Sequence, residues 1–301
     1  MSLTLKGVLG PVVTTFQSPS GEVDTEAFAR NVRAHLDAGM HGIVVTGSTG
    51  EAALLDERER TMLVDAARKQ IPRDRLLIVG TGAESTRTAQ RYARLAAEHG
   101  ADAVLVVAPH YYGAKAMTPA ALAAHYTAIA DTSPVPVVLY NIPKYMHFAL
   151  PPALVAELAR HQNVIGIKDS SGDRELLAGY LAAQSENFSV LTGNGGTFQR
   201  ALEMGARGGI LAVGLFATSL ALEVYSAMSD GTGTSVDQVQ ERLGTLSNRI
   251  VGELGVPGVK AALDRVGLRG GPVRLPLQPL AGEELGRIAE LLRQAELSLA
   301  A

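Results

Sequence analysis

Residues 164 to 173 read VIGIKDSSGD, an apolar run that passes straight into Lys168 before reaching the Asp, Ser and Gly of a turn. Lysine is rarely fully buried unless paired, because taking its charge out of water is costly. One explanation is ordinary: strand ends reach the surface, and Asp169-Ser170-Ser171-Gly172-Asp173 can cap a following helix. The other is chemical. At a partly apolar strand end, desolvation favours a neutral amine, which can attack a carbonyl. Tyr140 closes a second such run, VPVVLY. A phenol beside the amine would relay protons as a carbinolamine forms and collapses, although the ring can equally serve to cover the strand ends. A third group is Gly47-Ser48-Thr49-Gly50, in which two glycines bracket two hydroxyl residues ahead of a helix. Backbone N–H and side-chain O–H groups there can converge on an anion the size of a carboxylate, with an ordinary polar turn as the alternative.

These residues act together only if the fold brings them to one place. Short aliphatic runs recur near residues 7 to 15 and at 42–46, 76–80, 103–108, 135–140, 164–168, 188–193 and 208–213. Each is apolar on both faces, as buried parallel strands are. Amphipathic segments alternate with them, opened by Asp24, Asp56, Ser85-Thr86 and Thr118-Pro119, and two of them close on Gly39 and Gly100. About eight strand–helix units point to an α/β fold of the closed (β/α)8 TIM-barrel kind rather than an open doubly wound sheet. We expect residues 1–220 to form the catalytic barrel and 221–301 a C-terminal helical region packed on it, with helical patterns over 235–254, 256–268 and 281–300. Chemistry in such a barrel sits at the C-terminal strand ends. Thr46 to Glu51, Pro109-His110-Tyr111-Tyr112, Tyr140-Asn141, Lys168 and Gly193-Asn194 all follow strands and should converge on one face.

Composition narrows the chemistry. The chain has 301 residues, 47% hydrophobic and 19% charged, with a net charge of -3 and no basic cluster, so a nucleic-acid partner is not expected. The absence of cysteine excludes thiolate nucleophiles and cysteine-ligated metals and fits the cytoplasm. No signal-type N-terminus is expected, and the longest uncharged stretch, Gly208 to Leu222, is too short for a membrane helix. The seven histidines form no metal-ligand spacing, and His35, His99 and His125 lie in helical patterns as surface or packing residues. Serine-hydrolase elbows, Walker loops and dinucleotide fingerprints are missing. Glu51 and Asp169 are candidates for an acid–base pair, but Glu51 is expected to serve the start of its own helix.

Taken together, Gly47-Ser48-Thr49-Gly50-Glu51, Tyr111-Tyr112, Tyr140-Asn141-Ile142-Pro143 and Ile165-Gly166-Ile167-Lys168-Asp169 resemble the dihydrodipicolinate synthase/N-acetylneuraminate lyase family of class I, Schiff-base pyruvate aldolases. The likeness spans nearly the whole chain. Residues 80–86, 133–140 and 255–260 look closest to 4-hydroxy-2-oxoglutarate aldolase. The resemblance implies a homotetramer built as a dimer of dimers and a small 2-oxo acid substrate. It implies no cofactor beyond the covalent imine on Lys168. By position, Tyr140 shuttles protons, Ser48 and Thr49 hold the pyruvyl carboxylate, and Ser48 links Tyr140 to Tyr112, which reaches a neighbouring subunit. Ile210 contributes through its backbone, and Ser170, Gly193 and Asn194 line the distal substrate region. One position departs from the pattern. Synthases of this family carry an arginine five residues after the tyrosine; here that residue is Tyr145, which counts against the synthase reaction, with Lys144 next door as a substitute point charge.

The expected activity is therefore a carbon–carbon lyase acting on pyruvate and a short 2-oxo acid, in first place by cleavage of the 4-hydroxy-2-oxoglutarate type. Dihydrodipicolinate synthesis, or another aldolase or dehydratase reaction of the family, is the alternative. A non-catalytic 2-oxo-acid sensor is the rival from another class, and retention of both Lys168 and Tyr140 argues against it.

Overall fold

A computed structural model describes residues 3–229 and 236–300 of the chain. Eight parallel strands, β1 (Gly7–Pro11), β2 (Gly42–Val45), β3 (Leu76–Gly80), β4 (Ala103–Val107), β5 (Val137–Asn141), β6 (Val164–Asp169), β7 (Ser189–Thr192) and β8 (Gly208–Ile210), follow one another around a closed barrel. The closing pair is β1 with β8, where Leu9 lies opposite Ile210. Nearly every strand residue is buried, which accounts for runs that are apolar on both faces: one face fills the barrel and the other lies under helices.

The helices start where local chemistry supplies acceptors for their free N–H groups. Asp24 accepts from Ala27 N–H, Ser85 from Thr88 N–H and Thr118 from Ala121 N–H. Asp56 and Glu59 form a reciprocal capping box at 2.8 and 2.9 Å. Asp173 accepts from two N–H groups of the helix Arg174–Leu181, so the turn after Lys168 does cap a helix.

One irregularity aligns the barrel end. Val137 of β5 pairs with Val164 of β6, but Val138 pairs with Gly166, so Ile165 is passed over. The shift sets Tyr140 opposite Lys168; an unbroken register would set it opposite Ile167, whose side chain points the other way.

Beyond β8 the helix Thr218–Ser229 crosses position 220, and helices Asp237–Leu246, Glu253–Arg265 and Gly282–Gln294 follow, with a π-helical segment Ser247–Gly252 between the first two. These cover most of the helical patterns read from the sequence; 236, 266–268, 281 and 295–300 lie outside the helices, and Ser235 lies outside the described residues. Among the described residues no helix is long and apolar enough to cross a membrane.

His35 and His125 are packing residues inside helices, as expected, and both are buried. Burial lowers each imidazole from 6.5 to about 4. The folded form of each is therefore the neutral one, and the unfolded chain binds the extra proton between pH 6.5 and 4. Stability is fully present above pH 6.5 and is lost as the pH falls through that window, on the order of 3 kcal/mol for each histidine. Urea unfolding at a series of pH values checks this: the midpoint should drop steadily below pH 6.5, and His35→Leu should make the drop shallower. A midpoint that is flat from pH 7 to 4.5 would contradict the assignment.

Candidate active site

Lys168 and Tyr140 sit side by side at the C-terminal ends of β6 and β5. The lysine is 6% exposed and the tyrosine 4%, and Nζ lies 4.2 Å from the centroid of the phenol ring. The surface explanation for Lys168 is thereby excluded. The third wall is Gly193, just after β7. A Cβ built on Gly193 would stand 2.8 Å from Lys168 Cε and 1.9 Å from Ser170 Oγ, so the lysine stem and the serine occupy the space that any other residue would fill.

Next to the lysine, polar bonds tie the three strand ends together. Asn141 donates to Asp169 Oδ1 at 2.8 Å and accepts from Leu150 N–H. Ser171 donates its hydroxyl to Asp169 Oδ2 and its N–H to Oδ1. Ser170 N–H donates to Asn141 O, and Gly193 N–H to Asp169 O at 2.6 Å. Burial pushes the Asp169 carboxyl above the ordinary aspartate value against the pull of its Asn141 and Ser171 donors. Every atom of that carboxylate has a structural partner, which fits a strut better than an acid–base catalyst.

The turn after β2 is strained in a defined way. Thr46 has φ 52°, in the left-handed region, and its hydroxyl donates to Gly80 O at 2.9 Å. Gly80 must be glycine here, since a Cβ would stand 2.1 Å from Thr46 O. Ser48–Gly50 is a 3-10 turn whose own bonds use the N–H groups of Gly50, Glu51 and Ala52. Ser48 and Thr49 lie at its start, half-buried, with their N–H groups outside that ladder as at any helix N-terminus.

Glu51 corrects one expectation. It does not serve the following helix, which begins at Glu57 and is capped by Asp56 and Glu59. Instead Glu51 adopts φ 56° between two 3-10 turns, and its buried carboxylate pairs with Lys260 of the C-terminal region and accepts Arg274 N–H at 2.9 Å. Burial lowers the Lys260 ammonium from the ordinary lysine value, and Glu51 opposes that shift. This pair was not found in the sequence, although the Lys260 signal is the same as that of Lys168: a lysine amid apolar neighbours, here Val259, Ala262 and Leu263.

The other expected site residues are placed as follows. Ile210 is fully buried at the end of β8. Asn194 follows β7 and spends its carbonyl on Gly196 N–H. Tyr112 is 74% exposed and packs edge-on against Tyr111, with ring centroids 5.3 Å apart. Its loop is anchored by Glu84, which accepts the N–H groups of His110 and Tyr111. Among the described residues no hydrogen bond joins Tyr112 to Ser48 or Tyr140. Lys144 Nζ donates to Gly252 O at 2.8 Å, which tethers the ammonium but leaves its charge and two further N–H donors in place. Tyr145 is 40% exposed, and its phenol is held above the ordinary tyrosine value by burial first and by neighbouring Tyr140 second. A cavity behind β3, lined by Thr46, Arg60, Thr81 and Tyr92, does not include Lys168 or Tyr140.

A closed (β/α)8 barrel with a lysine and a tyrosine juxtaposed at the C-terminal strand ends defines the class, a class I aldolase acting as a carbon–carbon lyase. The chain belongs to the dihydrodipicolinate synthetase family, whose model matches residues 4–295. It is 32% identical over 290 residues to a 4-hydroxy-tetrahydrodipicolinate synthase of Methanospirillum hungatei, covering 95% of this chain and 98% of the relative. It is 36% identical over 283 residues to the protein of that name from Stenotrophomonas maltophilia, covering 93% and 92%. The crystal structure of the chloride-inhibited dihydrodipicolinate synthase from Acinetobacter baumannii complexed with pyruvate superposes with a TM-score of 0.92 at 30% identity, over 98% of this chain and all of that one. The enzyme of Thermotoga maritima does so with a TM-score of 0.92 at 29% identity, again over 98% of this chain.

Gly193→Ala tests how closely the lysine is held. The added methyl must displace Ser170 or the lysine stem, and misplacement of about 1 Å at a reacting group costs on the order of 100-fold. We expect kcat/KM for the lyase reaction to fall by about that factor with an unchanged circular dichroism spectrum. Turnover at the wild-type rate would show that the lysine does not depend on this gap.

Proposed function

We propose that the enzyme makes or breaks a carbon–carbon bond next to a pyruvate unit held as an imine on Lys168, and that 4-hydroxy-tetrahydrodipicolinate synthesis is its leading reaction. The apposition of Lys168 Nζ and the Tyr140 ring at 4.2 Å carries the first part. A water-excluded amine beside a phenol is the pair that imine formation requires. The pyruvate complex of the Acinetobacter baumannii enzyme supports pyruvate as first substrate. The name shared by the curated relatives supports the second part, and none of it favours 4-hydroxy-2-oxoglutarate cleavage specifically.

In this reading Lys168 adds to C2 of the 2-oxo acid. Tyr140 delivers a proton to the carbinolamine hydroxyl, which leaves as water. Loss of a proton from C3 gives an enamine, whose carbon adds to the acceptor's carbonyl carbon; water then releases the product and restores the amine. Cleavage runs the same steps backwards, and the imine makes an external cofactor unnecessary. Ser48 and Thr49 receive the carboxylate, with Ile210 contributing backbone and Ser170, Gly193 and Asn194 bordering the acceptor. Exposed Tyr112 would complete the relay through Ser48 in the neighbouring subunit of a homotetramer. Residues 1–220 form the catalytic unit and 221–301 a supporting helical one, in an enzyme of the cytoplasm.

Tyr145 favours a second reading, cleavage of a short hydroxy-2-oxo acid, because no guanidinium stands at the position where synthases meet the acceptor's carboxylate.

Reduction with sodium borohydride in the presence of pyruvate tests the common core. The wild-type protein should gain the mass of one reduced pyruvyl group, Lys168→Ala should gain nothing, and Tyr140→Phe should be trapped about 100-fold more slowly. A wild-type protein that stays unmodified sinks the proposal. Assays of pyruvate consumption with short aldehydes, and of pyruvate release from hydroxy-2-oxo acids, then separate the two reactions; trapping without turnover on any of them would support the sensor.

A further inference from the structure

The anion-sized turn after β2 is held from behind by the C-terminal region. Glu51 directly follows the turn and is the residue at which the chain takes a left-handed conformation, φ 56° and ψ 33°, a costly choice for a residue other than glycine. Its carboxylate is divided between two partners in the C-terminal region: Oε1 pairs with Lys260 Nζ, and Oε2 accepts Arg274 N–H at 2.9 Å. The paired side chains of Lys260 and Glu51 are 2% and 0% exposed. Lys260 Nζ also donates to Pro272 O at 2.7 Å and lies 4.5 Å above the Phe16 ring, while the guanidinium of Arg274 lies 4.3 Å from that ring. Arg274 in turn clamps Glu59 at 2.6 and 2.8 Å and donates to Leu54 O. From the barrel side, Thr14 donates to Gly50 O at 2.7 Å.

An ion pair buried to this degree resists movement, because separating the charges without water strands both. It adds little to stability compared with an apolar pair of similar shape. Its position suits another task.

We infer that Glu51 and Lys260 are positioning residues for substrate: their buried pair pins the Ser48–Gly50 turn in the conformation that receives the carboxylate of the 2-oxo acid. The C-terminal helical region thus takes part in substrate binding without touching substrate. This assignment rests on the Schiff-base reading above.

Borohydride trapping across a range of pyruvate concentrations, together with thermal unfolding, tests it. In Glu51→Gln the half-saturating pyruvate concentration should rise at least tenfold, with the maximal trapping rate reduced less than threefold, and Tm should fall because Lys260 is left unpaired. The double variant Glu51→Gln with Lys260→Met removes both charges and should recover Tm while half-saturation stays raised. A merely structural pair predicts the opposite, recovery of both together, and that result overturns the assignment. Glu51→Asp keeps the charge and shortens the tether by one methylene; it should raise half-saturation even where the double variant fails to fold, and a wild-type value there likewise overturns it. Absence of trapping in the wild-type protein overturns the Schiff-base reading and this assignment with it. Wild-type trapping with unmoved half-saturation in the variants overturns this assignment alone.

Discussion

The amine of Lys168 is held where water scarcely reaches, and the detail of the surrounding barrel end follows from keeping it there. A free lysine side chain carries about 2 kcal/mol of rotamer entropy. Here the Tyr140 ring bounds it on one side and the absent Cβ of Gly193 makes room on the other. In the proposed reaction, much of the cost of orienting the nucleophile is therefore met when the chain folds rather than when substrate arrives. The backbone on either side of the lysine is fixed by its neighbours: Asp169 O accepts from Gly193 N–H, and Asn141 O accepts from Ser170 N–H. Asp169 itself points to the other face, where Asn141 and Ser171 occupy its carboxylate. A charged residue adjacent to the amine is thus kept out of its reach while tying β5, β6 and β7 together.

Two lysines, Lys168 and Lys260, are buried among the described residues, with different surroundings. Lys260 has a carboxylate partner, a carbonyl acceptor and a ring beneath it, so its donors are occupied. Lys168 has the ring of Tyr140 beside it, and among the described residues no carboxylate is within salt-bridge distance. The contrast fits the role proposed for Lys168. A structural cation is stable when its hydrogen-bonding capacity is filled, whereas a nucleophile needs its lone pair available for an incoming carbonyl carbon.

Much of this was legible in the sequence, for local reasons. Parallel strands covered on both faces must be apolar throughout, and Asp24, Asp56, Ser85 and Thr118 cap helices through bonds made within three residues. Lys168 and Tyr140 stood out because each interrupts such a run at its end. What stayed hidden depends on packing between distant segments. The irregularity at Ile165 sets Tyr140 against Lys168, and VIGIK alone carries no sign of it. The need for Gly193 arises from the lysine stem of another strand. Glu51 departs from expectation because a carboxylate near a helix start is ordinarily a cap. The four residues between it and the true cap, Asp56, are the available clue, since a side chain cannot cap a helix that starts beyond its reach.

In the proposed reaction, the segment after Tyr140 borders the acceptor that the imine meets. Lys144 donates a hydrogen bond to Gly252 O, so its ammonium, still charged, is tethered toward that carbonyl. Tyr145 offers a phenol that is neutral at ordinary pH, and burial only raises it further from titration. A phenol donates one hydrogen bond, whereas a guanidinium presents two parallel bonds and a full charge to a carboxylate. At position 145, an acceptor aldehyde bearing a carboxylate would therefore meet one bond fewer and no charge, while an acceptor lacking that group would lose nothing. The imine chemistry common to both reactions rests on three strands and their interlocking polar ends. The choice between the reactions rests on one short turn at the rim, where a single substitution exchanges a cation for a neutral donor.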